Sequence, residues 1–448
     1  MRTALSIVFC LIAGLAWSDE VKVNVAAPSG LPGVTSEMRS AGFWVARHPS
    51  PDELIMTGKS ITEFNRRLTA GGFTEDLARV PAELPGVKVR AQLSGIIDGL
   101  KKRTLYGSDG KAVSPDFIAG FDREVDSVPD KVAVLCGFIV KSTALRLLPT
   151  AQPLYAEPGD VDFDEVQNSG LELGEPVVVL AHSRDHQWLY VHDAISSGWV
   201  TVASVARAPH AVFAKRLLSF RPLIITSARA DLFLDKEMTE YLTAVRMGTT
   251  LAFKSLSPAF WEVDVPTVSA EGDVKFVAAY IPKKDASAGP LAFTPRVIYE
   301  QAFKMLDAPY GWGDMNGGQD CSRFIQMVFA TVGLQLPRNS AEQGKVGAML
   351  GGFSEKLTPA EKSAIIVKNG LGAATILRLQ GHIVLYLGSY SDKPFAIHSA
   401  WAYREPMPDG TQRARVIGRV AVTSLDLGAG SSKGSLLERT LSARLLKN

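Results

Sequence analysis

Cys321 lies in the run Gly-Gly-Gln-Asp-Cys-Ser-Arg-Phe. Two histidines follow it, His382 in Gly-His-Ile-Val-Leu-Tyr-Leu-Gly and His398 in Ala-Ile-His-Ser. A thiol becomes a strong nucleophile when a base takes its proton, and the base works best when a third polar group fixes its ring. Cys321, His382 and His398, in this order, are the raw material of such a set: a thiol, and two histidines of which one could orient the other. Zinc binding is the competing use of Cys with His. No Cys-x-x-Cys pair is present to complete a tetrahedral set with Cys321, so neither metal nor cofactor is expected. A single buried cysteine is more often an inert core residue; the ordered trio is what points to catalysis.

The elements that must position these groups are legible around them. Tyr310-Gly-Trp-Gly and Gly317-Gly318 mark a loop before Cys321. After it, Phe324, Ile325, Val328, Phe329 and Val332 recur at helical spacing up to Gly333. Cys321 should therefore open a buried helix, where unpaired N–H groups and the dipole favour thiolate. His382 to Leu387, between Gly381 and Gly388, reads as a buried strand, and Pro394 to His398 as a second. A turn centred on Tyr390 would set His398 directly opposite His382, on one face of a hairpin. A slip of one residue would send it to the other face.

At these residues the sequence resembles the NlpC family of bacterial cell-wall cysteine peptidases. The matching pieces are Tyr310-Gly-Trp-Gly, Asp320-Cys-Ser, Leu336-Pro-Arg-Asn-Ser, Gly381-His-Ile-Val-Leu-Tyr-Leu-Gly and Ile397-His-Ser. Upstream, Leu171-Glu-Leu-Gly-Glu-Pro and Gly198-Trp-Val look like a bacterial SH3-like domain attached to such peptidases. Ile61-Thr-Glu-Phe-Asn and Thr104-Leu-Tyr look like the N-terminal domain of a multidomain subgroup. The resemblance implies cleavage of peptidoglycan stem peptides between γ-D-glutamate and the L-diamino acid. Cys321, His382 and His398 would form the triad, and Asp320 and Ser322 would bind the free amine of an N-terminal L-alanine. Capping the helix is an equally good role for Asp320. Tyr310 would bring a hydroxyl near thiol or substrate, or else pack in the core. Arg323 departs from the small residue that many members carry. Ser340 with Gln343 fits a capping box.

The chain of 448 residues, with 46% hydrophobic and 21% charged residues, has length for three or four domains. The expected fold class is multidomain α+β: a papain-like cysteine peptidase domain preceded by a mainly helical domain and two small SH3-like β-barrels. The expected boundaries are 1–18 for a signal peptide, 19–135 for the helical domain, 136–207 and 208–290 for the barrels, and 291–448 for the catalytic domain. In the helical domain Ser60 and Glu63 suggest a capping box, and Leu436 to Leu446 suggests a short amphipathic helix at the other end of the chain.

Arg2, the apolar run Ala4 to Leu15 and Ala16-Trp-Ser18 read as an export signal cleaved near Ser18, too short to span a membrane. Cys10 follows Phe9, which is too large for a usual lipoprotein signal. Export, periplasmic or extracellular, without stable membrane insertion is expected. The net charge of +2, with no basic stripe, gives nucleic acid binding no support. Cys136, in a β-type apolar run, is expected to be structural. Two other functions compete with the endopeptidase reading: a wall-binding protein with a degenerate peptidase domain, and acyl or amide transfer through the same thioester.

Overall fold

The computed structural model describes residues 24–28, 30–219 and 221–447. The expected export signal and Cys10 lie outside the described residues. The described chain divides into two compact units. One holds Gly72–Gly289 and Gly311–Gly317; the other holds 24–71, Pro290–Tyr310 and 318–447. Residues 24–71, expected with 72–135 in one helical domain, are grouped instead with the C-terminal part of the chain.

The unit containing Cys321 is built on a seven-stranded sheet. Its strand order is Asn24–Ala26, Gln412–Ser424, Lys393–Pro406, His382–Tyr390, Thr375–Leu379, Thr440–Leu445 and Ala348–Met349. All neighbours are antiparallel except the first pair. The helix Cys321–Ala330 packs on the two histidine-bearing strands. Phe324, Ile325, Val328 and Phe329 are all fully buried, as their spacing predicts.

The helix Gly58–Ala70 buries Ile61, Phe64 and Leu68. Its Asn65 donates to Gly333 O at 2.8 Å and accepts from Gln335 N at 3.1 Å, which pins the turn ending the Cys321 helix. This helix is capped by Thr57, which accepts from Ser60 N at 3.2 Å, while Glu63 pairs with Arg66. The expected Ser60–Glu63 box does not form. The last segment is the strand Thr440–Leu445 and not a helix. Pairing with Thr375–Leu379 and Ala348–Met349 satisfies its backbone and overrides the helical spacing of its leucines.

The histidine hairpin turns at Ser391-Asp392, both at positive φ of 50° and 60°, and not at Tyr390. Tyr390 pairs with Lys393 and Gly388 with Phe395; the register then shifts, so that Tyr386 pairs with Ala396 and Leu385 with Ile397. Leu387 is the extra residue of a bulge. Without the bulge, the tip's register would pair His398 with Leu385, on the face opposite to His382. With it, His398 falls across from Val384 and diagonal to His382, and the two imidazoles share a face. The direct opposition expected from the sequence is corrected to a diagonal one.

The other unit contains two seven-stranded, wholly antiparallel sheets, one from Leu135–Ile139 to Val205–Ala208 and one from Pro222–Ile225 to Ala286–Ala288. Against the first packs the helix Gly86–Lys101, where Leu93 and Ile97 join Tyr190 and Trp199 in one core.

The segment Gly311–Gly317 is tied into this unit. Gly313 takes a φ of +52°, and a Cβ there would lie 3.0 Å from Gln167 O. Asp314, itself at a φ of 70°, accepts from Gly170 N at 2.9 Å and Arg246 Nη1 at 3.2 Å, and Arg246 also pairs with Glu172 at 2.5 Å. With Asp314 and Glu172 almost wholly buried, the guanidinium between them neutralises both. Arg246→Met should leave two buried carboxylates unpaired and cost this unit about 3–5 kcal/mol. Urea unfolding checks this, and an unchanged midpoint would refute it.

Candidate active site

Cys321 is the first residue of its helix and is 7% exposed. The backbone N–H groups of Ile383, the residue after His382, and of Ser322 lie close enough to its sulfur to favour the thiolate. Asp320 is the helix N-cap and accepts from Arg323 N at 2.8 Å. The same carboxylate is gripped by Arg338, which donates at 3.2 Å to Oδ1 and at 2.7 Å to Oδ2. Arg338 also donates to Ser322 Oγ at 3.0 Å, and that hydroxyl donates to Asp320 Oδ1 at 3.0 Å. The three side chains form one buried knot at the helix start.

Further contacts hold the backbone around it. Gln343 Nε2 donates to Ser322 O and Pro337 O at 2.9 and 2.8 Å. Ser399 Oγ donates to Gln319 O at 2.7 Å. The short helix Ser340–Gln343 is capped by Asn339, not by Ser340, which leaves Gln343 free for this bracing role.

The bases lie on the sheet. His382 begins its strand directly after a two-residue turn, with Leu379 as its partner on the far side. Its Nε2 lies 2.7 Å from His398 Nδ1, and His398 Nε2 lies 2.9 Å from Thr423 Oγ1. Tyr310 packs against Trp401, with ring centroids 5.6 Å apart and planes tilted by 52°. Burial, with the Cys321 and Asp320 charges beside it, pushes its phenol well above the usual range.

The electrostatics differ from the thiolate expected at a helix start. Burial, and then the charge of Asp320, push the Cys321 thiol up to about 12, outweighing the two N–H groups and Arg338. Burial, then His398 and Arg439, hold His382 well below the ordinary imidazole value, and burial with Arg439 brings His398 down to about 3. Burial thus favours the neutral thiol and the neutral imidazoles.

All six residues singled out in the sequence therefore fall in this unit, and Cys321, Asp320, Ser322 and Tyr310 gather at one helix start. Arg338, Gln343 and Thr423, which the structure bonds to these residues, were not among them. The Leu336-Pro-Arg-Asn-Ser match contained a signal for Arg338; no local pattern marks Thr423.

The helix that begins with Cys321 packs on the two strands that carry the histidine pair, the layout expected of a papain-like fold. Residues 307–403 match the NlpC/P60 family model, and residues 153–201 match an SH3 domain of the SH3b1 type. The chain is a multidomain α+β protein that carries an NlpC/P60 domain and an SH3 domain of the SH3b1 type. It is similar to a probable endopeptidase of Corynebacterium glutamicum, with 29% identity over 140 residues, 30% of this chain and 62% of that protein's length. Among solved structures it is similar to an NlpC/P60 endopeptidase of Photobacterium damselae subsp. piscicida, with a TM-score of 0.76 and 19% identity, over 94% of this chain and 99% of that one. An NlpC/P60 family protein of Bacillus cereus has a TM-score of 0.46 and 17% identity, over 70% and 100% of the two chains.

A neutral resting thiol predicts slow alkylation. The rate of carboxamidomethylation of Cys321 by iodoacetamide should keep rising with pH through pH 9. A plateau reached below pH 7 would show a preformed thiolate instead.

Proposed function

We propose that the protein is an exported cysteine endopeptidase that hydrolyses the γ-D-glutamyl-L-diamino acid bond of peptidoglycan stem peptides. The observation that carries this reading is the 2.7 Å contact between the two imidazoles, next to a helix-borne thiol whose sulfur meets Ile383 N–H. The atoms in that contact decide the tautomers. Nδ1 of His382 serves as base only if its proton sits on Nε2, which then donates to His398 Nδ1. His398 must in turn carry its proton on Nε2, where Thr423 Oγ1 accepts it.

In the reaction, Cys321 attacks the γ-carbonyl as His382 takes its proton, and backbone N–H groups at the helix start stabilise the oxyanion. The imidazolium gives the proton to the leaving amine, then activates water against the thioester. Because thiol and base are neutral at rest, charge separates only once the carbonyl is in place. Asp320, Ser322 and Tyr310 line the acyl side. Asp320 Oδ1 takes three donors, whereas Oδ2 takes only Arg338 among the described residues. That oxygen keeps capacity for the ammonium of an N-terminal L-alanine.

Mass spectrometry of L-Ala-γ-D-Glu-diaminopimelate, its N-acetyl form and a Cys321→Ala control tests the reading. The expected result is cleavage of the free-amine peptide by the native protein alone. Turnover by Cys321→Ala would refute the site, and amine adducts in place of hydrolysis products would mark a transferase. Thr423→Val should lower kcat about tenfold, the effect of losing one orienting hydrogen bond of about 1.4 kcal/mol, with KM little changed. A kcat equal to that of the native protein would refute the proton relay.

A further inference from the structure

Arg439 is a cation of the catalytic unit that the reaction above leaves unused. It directly precedes the strand Thr440–Leu445, where Thr440 pairs with Leu379, and Leu379 pairs on its other side with His382. Two strand spacings, about 10 Å, separate Thr440 from His382 along this row, and Arg439 is the residue before Thr440. The charge of Arg439 acts on both His382 and His398, whereas Cys321 and Tyr310 feel Arg338.

The two arginines differ in one respect. Arg338 is neutralised by Asp320, but no carboxylate among the described residues lies within ion-pair distance of the Arg439 guanidinium. Its other charged neighbour of note, Lys433, has the same sign and is itself close to Arg404.

The backbone of Arg439 is also held in place. Lys362 is 3% exposed, and its ammonium donates to Glu438 O at 2.9 Å and Thr440 O at 2.8 Å, the carbonyls on either side of Arg439. Thr440 Oγ1 donates to Leu436 O at 2.9 Å, and the Glu438 carboxylate accepts from Ser435 N. Burying an ammonium is costly unless its donors are satisfied, so this clamp amounts to a rigid mount. The mount lies beyond the residues 307–403 that match the family model.

We propose that Arg439 binds a carboxylate of the substrate's diamino acid, on the leaving-group side of the scissile bond. The inference rests on the hydrolytic reading above, in which His382 protonates the leaving amine; the residue bearing that amine then lies on the side of His382, where Arg439 sits. A guanidinium matches a carboxylate in charge and in fork geometry. A diamino acid with two carboxyl groups, such as diaminopimelate, can offer either one, on the side chain or on the α-carbon.

The test compares L-Ala-γ-D-Glu-diaminopimelate with its two mono-amides and its bis-amide, each amidated on the diaminopimelate carboxyls. Native protein should show a KM about tenfold lower for the diacid than for the bis-amide, and the mono-amides identify the carboxyl that is bound. Arg439→Met should raise KM for the diacid to that of the bis-amide with kcat within about twofold, leave the bis-amide unaffected, and be partly rescued by Arg439→Lys. Equal losses on diacid and bis-amide would overturn the inference. If native protein cleaves none of these peptides, the hydrolytic reading falls, and calorimetry on Cys321→Ala decides the inference separately. Tighter binding of diacid than bis-amide, abolished by adding Arg439→Met, would uphold it; equal binding would overturn it.

Discussion

The site depends on the buried pairing of Arg338 with Asp320. Asp320 caps the helix that presents Cys321, and a bare carboxylate at that depth would raise the thiol further and lack a counter-charge. Arg338 neutralises it with two donors and also fixes Ser322 Oγ. One guanidinium thereby sets the helix start, the orientation of the residue after the nucleophile and the field at the sulfur. The pair also decides which effect wins there. A helix N-terminus favours an anion by at most about 2 kcal/mol, while full burial shifts an acid by several pK units, each about 1.4 kcal/mol. Burial prevails, and the thiol rests protonated.

A protonated thiol needs a base that is also uncharged, and the sheet provides one. His382 and His398 are both held in the neutral form by burial and by positive charge nearby. Their contact then has one direction of donation that leaves His382 Nδ1 unprotonated, and that direction ends on Thr423. The Leu387 bulge makes this chain possible, because an unbulged hairpin with the same tip would put the second ring on the wrong face.

The trio was legible in the sequence because each member sits in its own local context: glycines before a helical run for Cys321, and strand-like runs around both histidines. What escaped was set by contacts distant in the chain or by choices among equivalent residues. Arg338 and Thr423 reach their partners across 18 and 25 residues. Asn339 and Ser340 are both good caps, as are Thr57 and Ser60, and local propensity cannot choose between neighbours. The hairpin register turned on Ser391 and Asp392 adopting left-handed backbone, which Asp favours and Ser does not advertise. The leucines of the last segment have helical spacing, but an open sheet edge claimed their backbone.

The cations of the unit divide along the line that the chemistry draws. On the cysteine side, Arg338 is matched by Asp320, leaving little net charge and one carboxylate oxygen with capacity to spare, an arrangement that suits an ammonium. On the histidine side, Arg439 lacks a carboxylate among the described residues and stands near Lys433, an arrangement that suits an anion. A peptide with an amine at one end and a carboxylate beyond the scissile bond is itself a dipole, and a groove polarised this way orients it before any side chain makes close contact.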